Sequence, residues 1–147
     1  MGKILEQLQA VVRGDGKIAP IAKTLGFQLT HVEPGTATVE LDATERFWNP
    51  MGTLHGGILV DIADAAMGLA YAAGLNDDES FTTIELKVNY LRPFKEGRLK
   101  AIAKTVHRGR TVGVLDCEVF DDRGKIIARS SSTCLTLRGE QTKGRNF

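Results

Sequence analysis

The fold is decided by two adjoining stretches, NPMGTLHGG at residues 49–57 and ILVDIADAAMGLAYAA at residues 58–73. Only Asp61, Asp64 and Gly68 interrupt the apolar second stretch, so a helix from Ile58 to about Ala73 has no polar face to turn toward water. The run is too short to cross a bilayer, and two carboxylates inside it would be costly in lipid. We therefore expect this helix to be buried in a soluble protein, with a β-sheet wrapped around it.

Two glycines, Gly56 and Gly57, stand just before this helix. Without side chains they leave the backbone N–H groups of the first turn uncovered. These groups form the positive end of the helix, so a ligand that carries negative charge can approach them closely.

Length and composition are typical of one globular domain over residues 1–147, with 42% hydrophobic and 25% charged residues. The first seven residues, MGKILEQ, contain charges and lack the apolar segment of a signal peptide, so we expect a cytoplasmic protein without a membrane anchor. Cys117 and Cys134 lack the short spacing of metal ligands, which predicts buried reduced thiols and no metal site.

The net charge of +1 hides an asymmetry between the two halves of the chain. Residues 1–91 carry 6 Lys and Arg against 12 Asp and Glu, whereas residues 92–147 carry 13 against 6. The cationic second half suits an anionic ligand, and it equally fits the solvated faces of strands. No aromatic residues alternate with these cations, so nucleic acid is not an expected partner.

Periodicity predicts the remaining elements. Residues 1–25 read as an N-terminal helix over 3–13 followed by a turn, and residues 139–147 as a flexible polar tail. The strands are predicted at 26–32, 36–42, 81–91, 98–107, 111–120 and 125–137, the first two joined by the Pro34-Gly35 turn. The last four should follow one another as an antiparallel meander, giving an α+β domain.

Alternation along the strand at 81–91 sorts its side chains onto two faces. One face should carry Thr82, Ile84, Leu86, Val88 and Tyr90, and the other Thr83, Glu85, Lys87 and Asn89. The second set can reach a ligand or a subunit interface.

The pattern Asn49-x-x-Gly52-x-x-His55-Gly56-Gly57, with an acidic residue nine positions past the histidine, resembles that of the hotdog-fold acyl-CoA thioesterases of the phenylacetate-pathway (PaaI-like) group. The similarity extends from roughly Gly26 to Leu137 and includes TIELKVNYLRP at 83–93 and the Gly-Arg-Thr turn at 109–111. It implies a hotdog fold, an antiparallel sheet of about five or six strands around one long central helix. It also implies hydrolysis of an aryl- or medium- to long-chain acyl-CoA, with coenzyme A as part of the substrate and no separate cofactor.

The resemblance assigns the catalytic carboxylate to Asp64. Thioester hydrolysis needs a carboxylate that attacks or activates water, and relatives use either path, so both stay open. An unpaired charge within an apolar helix costs several kcal/mol, which makes Asp64 worth explaining, although a structural aspartate is the alternative. Asp61 lies one turn earlier on nearly the same face and ranks second.

The other assigned roles surround this carboxylate. Gly56 is expected to donate its N–H to the developing oxyanion, with Gly57 beside it in substrate binding. The resemblance gives Asn49 the orientation of substrate or water, Thr83 the support of the carboxylate, and His55 the shaping of the loop and pocket. A general base is the alternative role for His55. The purely structural alternatives are a turn residue for Asn49, a helix entry for the glycines and an ordinary strand residue for Thr83. Arg108 and Arg110 are predicted to bind the CoA phosphates, and Arg92 is a weaker candidate.

Helix geometry predicts the assembly. Gly56 and Asp64 are eight residues apart, about 12 Å along one helix axis at ~1.5 Å per residue, so one carbonyl cannot touch both. They would have to meet across a two-fold axis, in a homodimer with two shared sites, and relatives imply a tetramer of such dimers. A noncatalytic acyl-CoA binding or sensing protein on the same fold is the alternative, although it gives no reason for Asp64. A hydratase would need a different His and acid spacing.

Overall fold

Residues 2–147, which the computed structural model describes, form three α-helices and six strands. The helices are α1 (Lys3–Val12), α2 (Pro20–Leu25) and α3 (Gly56–Ala72), and short 3-10 turns cover Glu45–Phe47 and Gly139–Thr142. The strands are β1 (Gln28–Glu33), β2 (Thr36–Ala43), β3 (Glu79–Tyr90), β4 (Gly97–Arg108), β5 (Val112–Phe120) and β6 (Ile126–Arg138). The predicted helices and all six strands are confirmed to within a few residues.

Helix α2 was not predicted. Its six residues are too few to display a helical period, and its signals are local. Pro20 stands at its first position and Gly26 ends it with φ of 85°, a left-handed conformation that favours glycine.

The strands form one antiparallel sheet in the order β1-β2-β4-β5-β6-β3. The predicted four-strand meander is therefore wrong for β3, which pairs with β6 rather than with β4. Both edges of β4 are already occupied, by β2 and β5, and β3 pairs along the outer edge of β6 instead. This connection wraps the sheet around α3.

The core lies between α3 and the sheet, and α3 contacts all six strands. Ile62, Ala66, Met67 and Ala70 on the helix are completely buried. They pack among alternate residues of the strands, including Val39, Leu41, Leu99, Ala101, Leu115 and Val119. The α+β architecture with a sheet around one central helix is thus as the sequence predicts.

One stripe of α3 is not covered by the sheet. Along it, Gly57, Val60 and Asp64 are half-buried and Asp61 is exposed. The expectation that the whole helix is buried is therefore incorrect for a single chain. The stripe is continuous because residues three and four apart lie on one face of a helix.

Both ends of the chain pack against the rest of the domain. Ile4, Leu5 and Leu8 of α1 join the core, and α1 contacts β1. In the tail, Arg145 donates to the Ser80 hydroxyl at 3.1 Å and the Phe81 carbonyl at 2.7 Å. None of the helices within residues 2–147 is both long and apolar enough to span a membrane.

Candidate active site

The loop before α3 is held together by the side chain of Asn49. Its Oδ1 accepts from the N–H groups of Met51 (3.0 Å) and Thr53 (3.2 Å), and its Nδ2 donates to the Thr53 hydroxyl (2.9 Å). Leu54 N–H also donates to the Phe94 carbonyl, which ties the loop to the segment that follows β3. In the single chain Asn49 therefore acts as a turn residue, and it fixes the path of the backbone into the helix.

His55 is the N-cap of α3. Its Nδ1 accepts a hydrogen bond from the Gly57 N–H at 3.0 Å, so in this arrangement the ring proton lies on Nε2. A Cβ at position 57 would meet Nδ1 at 2.9 Å, closer than real contacts allow. Glycine at 57 is thus needed for this cap, and the cap satisfies the Gly57 N–H.

A groove of about 460 Å³ opens at this end of the helix. Its lining combines the loop and the helix start with the end of β3 and the segment after it: Asn49, Thr53, Leu54, His55, Gly56, Gly57, Leu59, Tyr90, Leu91, Arg92, Pro93 and Phe94. Within residues 2–147 the Gly56 N–H has no acceptor. Because the positive end of the helix dipole is also here, the groove can polarise a carbonyl.

Asp64 lies two turns further along the helix, and Thr83 of β3 is its partner. The Thr83 hydroxyl donates to Asp64 Oδ1 at 3.1 Å, and the Cys134 Sγ lies 3.9 Å from the same hydroxyl. This hydrogen bond joins the two residues that the sequence analysis paired, Thr83 and Asp64. The half-buried carboxylate keeps one oxygen without a hydrogen bond from the described residues.

The predicted faces of β3 are only partly correct, because a β-bulge interrupts the strand. Thr83 pairs with Cys134 and Glu85 with Thr133, so Ile84 is an extra residue. The bulge leaves Ile84 55% exposed and turns Thr83 to the same side as Leu86 and Val88, which pack on the core. Thr83 reaches Asp64 because the alternation fails at Ile84.

Asp61 occupies a different environment from Asp64. It is exposed along the open stripe and has no hydrogen-bond partner within residues 2–147. Partial desolvation, and after it the charge of Asp64, raises the pKa of Asp61 above its usual value.

The two cysteines are free and buried, as predicted. Burial is the main cause that raises the pKa of the Cys117 thiol to about 12, and burial also raises the pKa of Cys134. Burial therefore disfavours the thiolate, which is the reactive form, at both cysteines. Within residues 2–147 no cluster of His, Cys, Asp and Glu has the geometry to hold a metal ion.

The predicted phosphate ligands Arg108 and Arg110 do not line the groove. Arg108 donates to the Tyr71 carbonyl at 2.5 Å and stacks over the Tyr71 ring at 4.1 Å, so it covers the C-terminal end of α3. Arg110 is exposed in the adjoining turn. The arginine in the groove is Arg92, the weaker candidate in the sequence analysis.

Two residues of the groove were not predicted to be functional, Tyr90 and Phe94. The sequence carries a weak signal for both, because the run NYLRPF at 89–94 places aromatic rings on either side of Arg92-Pro93, where the strand ends. Only the pairing of the loop with this segment reveals that both line the groove and that Tyr90 lies against Gly56.

The structure therefore brings the predicted residues together in two separate groups. Asn49, His55, Gly56 and Gly57 gather at the start of α3, and Asp64 with Thr83 lies near its middle. Eight residues separate Gly56 from Asp64, about 12 Å of helix, and Asp64 does not line the groove.

The chain matches a known protein family. The sequence profile described as Thioesterase superfamily matches residues 51–128, more than half of the chain. The matched region begins within the loop before α3 and ends in β6, so it contains Gly56, Asp64 and Thr83.

Named relatives cover most of the chain. A 1,4-dihydroxy-2-naphthoyl-CoA hydrolase of Listeria monocytogenes is 31% identical over 113 residues, which are 77% of this chain and 92% of the relative. The enzyme of the same name from Escherichia coli is 27% identical over 133 residues, 90% of this chain and 94% of the relative.

Solved structures agree with this fold. A phenylacetic acid degradation-related protein of Ralstonia eutropha superposes with a TM-score of 0.79 at 31% identity, over 88% of this chain and 98% of that one. A thioesterase of Haemophilus influenzae gives 0.77 at 21% identity, over 86% and 87%. The predicted hotdog fold is confirmed.

Proposed function

Because this chain belongs to the Thioesterase superfamily, we propose that it hydrolyses an acyl-CoA thioester to the free acid and CoA. The observation that carries the proposal is the Asp64–Thr83 pair, a carboxylate on an apolar helix that a hydroxyl holds at 3.1 Å. A protein that only binds acyl-CoA has no need for a charge at this position.

Asp64 supplies the base or the nucleophile, and both paths remain within the proposal. As a base it removes a proton from water while the water oxygen bonds to the carbonyl carbon; as a nucleophile it forms a mixed anhydride that water then hydrolyses. In either case the C–S bond breaks and CoA leaves as a thiolate that takes up a proton. Thr83 fixes the orientation of the carboxylate.

Gly56 donates its free backbone N–H to the carbonyl oxygen as negative charge develops there, and the helix dipole adds to the stabilisation. His55 acts on this donor indirectly. By capping the Gly57 N–H it sets the conformation of the helix start.

The active site is shared between two subunits. Gly56 and Asp64 lie too far apart on one helix to reach the same carbonyl. In addition, the open stripe combines the apolar Val60 with Asp61 and Asp64, and the sheet does not cover it. Two α3 helices that run antiparallel across a two-fold axis would cover both stripes and bring each Gly56 to the partner's Asp64. A tetramer of such dimers is the proposed assembly, by resemblance to relatives.

Arginines from both subunits are suited to the CoA phosphates. Arg92 is exposed in the groove beside Gly56. In an antiparallel pair that matches residue 56 with 64, the C-terminal end of one helix extends beyond the start of the partner's helix, so Arg110 of the second subunit, in the turn next to that end, would lie on the side of the pair where the groove opens. We assign the phosphates to these two, and Arg108 to the helix end that it already contacts.

The acyl group is aryl, or aliphatic of medium to long chain. The relatives named as 1,4-dihydroxy-2-naphthoyl-CoA hydrolases favour the aryl class. The proposal needs no cofactor besides the CoA of the substrate, no nucleic acid and no membrane, and a cytoplasmic location suits acyl-CoA.

The test is the release of free CoA thiol from a panel of aryl- and alkyl-CoA substrates, followed with a thiol reagent. The buried cysteines give little background, because the thiolate form of Cys117 is suppressed by a pKa of about 12. The expected result is catalytic release with at least one substrate, slowed at least about 100-fold in Asp64→Asn. Tight binding of acyl-CoA without release would favour the noncatalytic alternative instead.

A further inference from the structure

Tyr90, at the end of β3, lies against the start of α3. A Cβ built at Gly56 would meet the Tyr90 Cζ at 2.7 Å and its hydroxyl oxygen at 2.8 Å. The hydroxyl end of the ring is therefore the part that touches Gly56. The side chain is 55% exposed and lines the groove, so a ligand in the groove can reach it.

Two unused donors lie close together at this point. Within residues 2–147, neither the Gly56 N–H nor the Tyr90 hydroxyl has a hydrogen-bond partner. A Cβ lies about 2.5 Å from the nitrogen of its own residue and 2.8 Å separates the Cβ built at Gly56 from the hydroxyl oxygen, so that oxygen is at most about 5.3 Å from the Gly56 nitrogen. One oxygen atom at about 2.7–3.0 Å from each donor fits between them.

We propose that Tyr90 is a catalytic residue whose hydroxyl donates the second hydrogen bond to the thioester oxyanion, beside the Gly56 N–H. This inference rests on the proposed thioesterase function. The phenol keeps its proton throughout: it stabilises the negative oxygen of the tetrahedral intermediate and releases it when the carbonyl re-forms and the C–S bond breaks. Both donors come from one subunit, so the shared-site arrangement is unaffected.

A purely apolar role for Tyr90 explains less. Leu91, Pro93 and Phe94 already provide apolar walls to the groove. A wall would turn ring carbons to the substrate, whereas here the hydroxyl end lies at the helix start, where negative charge is best stabilised.

The test compares Tyr90→Phe with Tyr71→Phe, the same change at the other tyrosine. We expect Tyr90→Phe to lower kcat by about 10²- to 10³-fold, as loss of one oxyanion donor does, with KM changed little. Tyr71 is completely buried and its hydroxyl bonds Thr136 at 2.6 Å, so Tyr71→Phe should lower the melting temperature and leave kcat near the wild-type value.

An S-alkyl-CoA thioether, which has no carbonyl oxygen, separates the chemical role from a packing role. Its Kd should be the same for wild type and Tyr90→Phe. The proposal is overturned if Tyr90→Phe keeps the wild-type kcat, or if it weakens thioether binding by the same factor as it lowers kcat/KM. If the thioesterase proposal itself is wrong, the result is distinguishable, because the wild type will then release no thiol from any substrate.

Discussion

The start and the middle of α3 are built in different ways, although eight residues of one helix separate them. At the start, the polar side chains Asn49 and His55 are used up in holding the backbone, and what remains free is an N–H group. In the middle, the backbone is satisfied by the helix and a side chain, Asp64, remains free on one oxygen. One region thus offers a donor and the other a base, and a thioester needs both.

The difference also explains what each region tolerates. A donor made from backbone needs small residues around it, and both Gly56 and Gly57 lack the space for a Cβ. A base made from a side chain needs a partner that orients it, and Thr83 is that partner. Substitutions at the two regions should therefore fail for different reasons.

The largest effect is expected at the middle of the helix. Asp64→Asn should lower kcat by at least about 100-fold while the fold is retained, because the amide cannot act as base or nucleophile. Asp61→Asn, the matched change one turn earlier, should lower kcat far less. Steady-state thiol release measures both, and an equal or larger loss for Asp61→Asn would show that Asp61 is the functional carboxylate.

Complementation tests whether the two regions meet between subunits. Asn49→Ala removes the contacts that fix the loop before Gly56, and Asp64→Asn removes the base, so each homodimer should be inactive. Random mixing on joint refolding gives half heterodimers with one intact site of two, hence about a quarter of wild-type activity.

Mass spectrometry of differently tagged chains provides the control that heterodimers form. Activity no higher than that of the two parents, with heterodimers present, would locate both residues in the site of one subunit.

The sequence predicted both regions, and the resemblance paired Thr83 with Asp64, but it did not predict that Tyr90 lies beside Gly56 or how β3 reaches either region. The apolar run with Asp61 and Asp64 predicts a central helix from composition alone, and the His-Gly-Gly pattern locates its start. The partner of each region comes from β3, whose course depends on long-range pairing. Nothing local in TTIEL at 82–86 reveals that Ile84 is a bulge, because the extra residue exists only relative to Thr133 and Cys134 on β6.

The pairing of β3 was missed for a related reason. Consecutive strands usually neighbour each other, and the prediction followed that rule. The sheet instead closes around α3 with β3 at the far edge. The same long-range arrangement explains why Arg108 contacts Tyr71 and Arg92 lies in the groove. The position of an arginine in a turn and its charge were not enough to predict this.

A smaller effect should distinguish the two arginines assigned to the CoA phosphates, Arg92 and Arg110, from Arg108. Arg92→Ala and Arg110→Ala should each raise KM for acyl-CoA by about fivefold to tenfold through loss of a charge-assisted phosphate contact, with kcat retained. Arg108→Ala should instead lower the melting temperature, since it removes the contacts with Tyr71.

A short acyl thioester without the nucleotide is the control substrate, and its KM should be unchanged in all three variants. If Arg108→Ala alone raised KM for acyl-CoA, the assignment of the CoA phosphates to Arg92 and Arg110 would be wrong.

The smallest effect concerns the thermal stability of the protein, and it follows from the raised pKa of Asp61 on the open stripe. Its pKa is raised in the folded chain, so between the usual value of 3.8 and the raised value the native state binds more protons than the unfolded state. The stability contribution of Asp61 therefore falls as pH rises through this window.

Asp61→Asn, which cannot ionise, should melt slightly higher than wild type at neutral pH, and the difference should vanish below the usual pKa. Because the charge of Asp64 is the second cause of the shift, Asp61→Asn in an Asp64→Asn background should gain less. Thermal melts of the four chains across pH measure this, and a gain that grew at acid pH would contradict it.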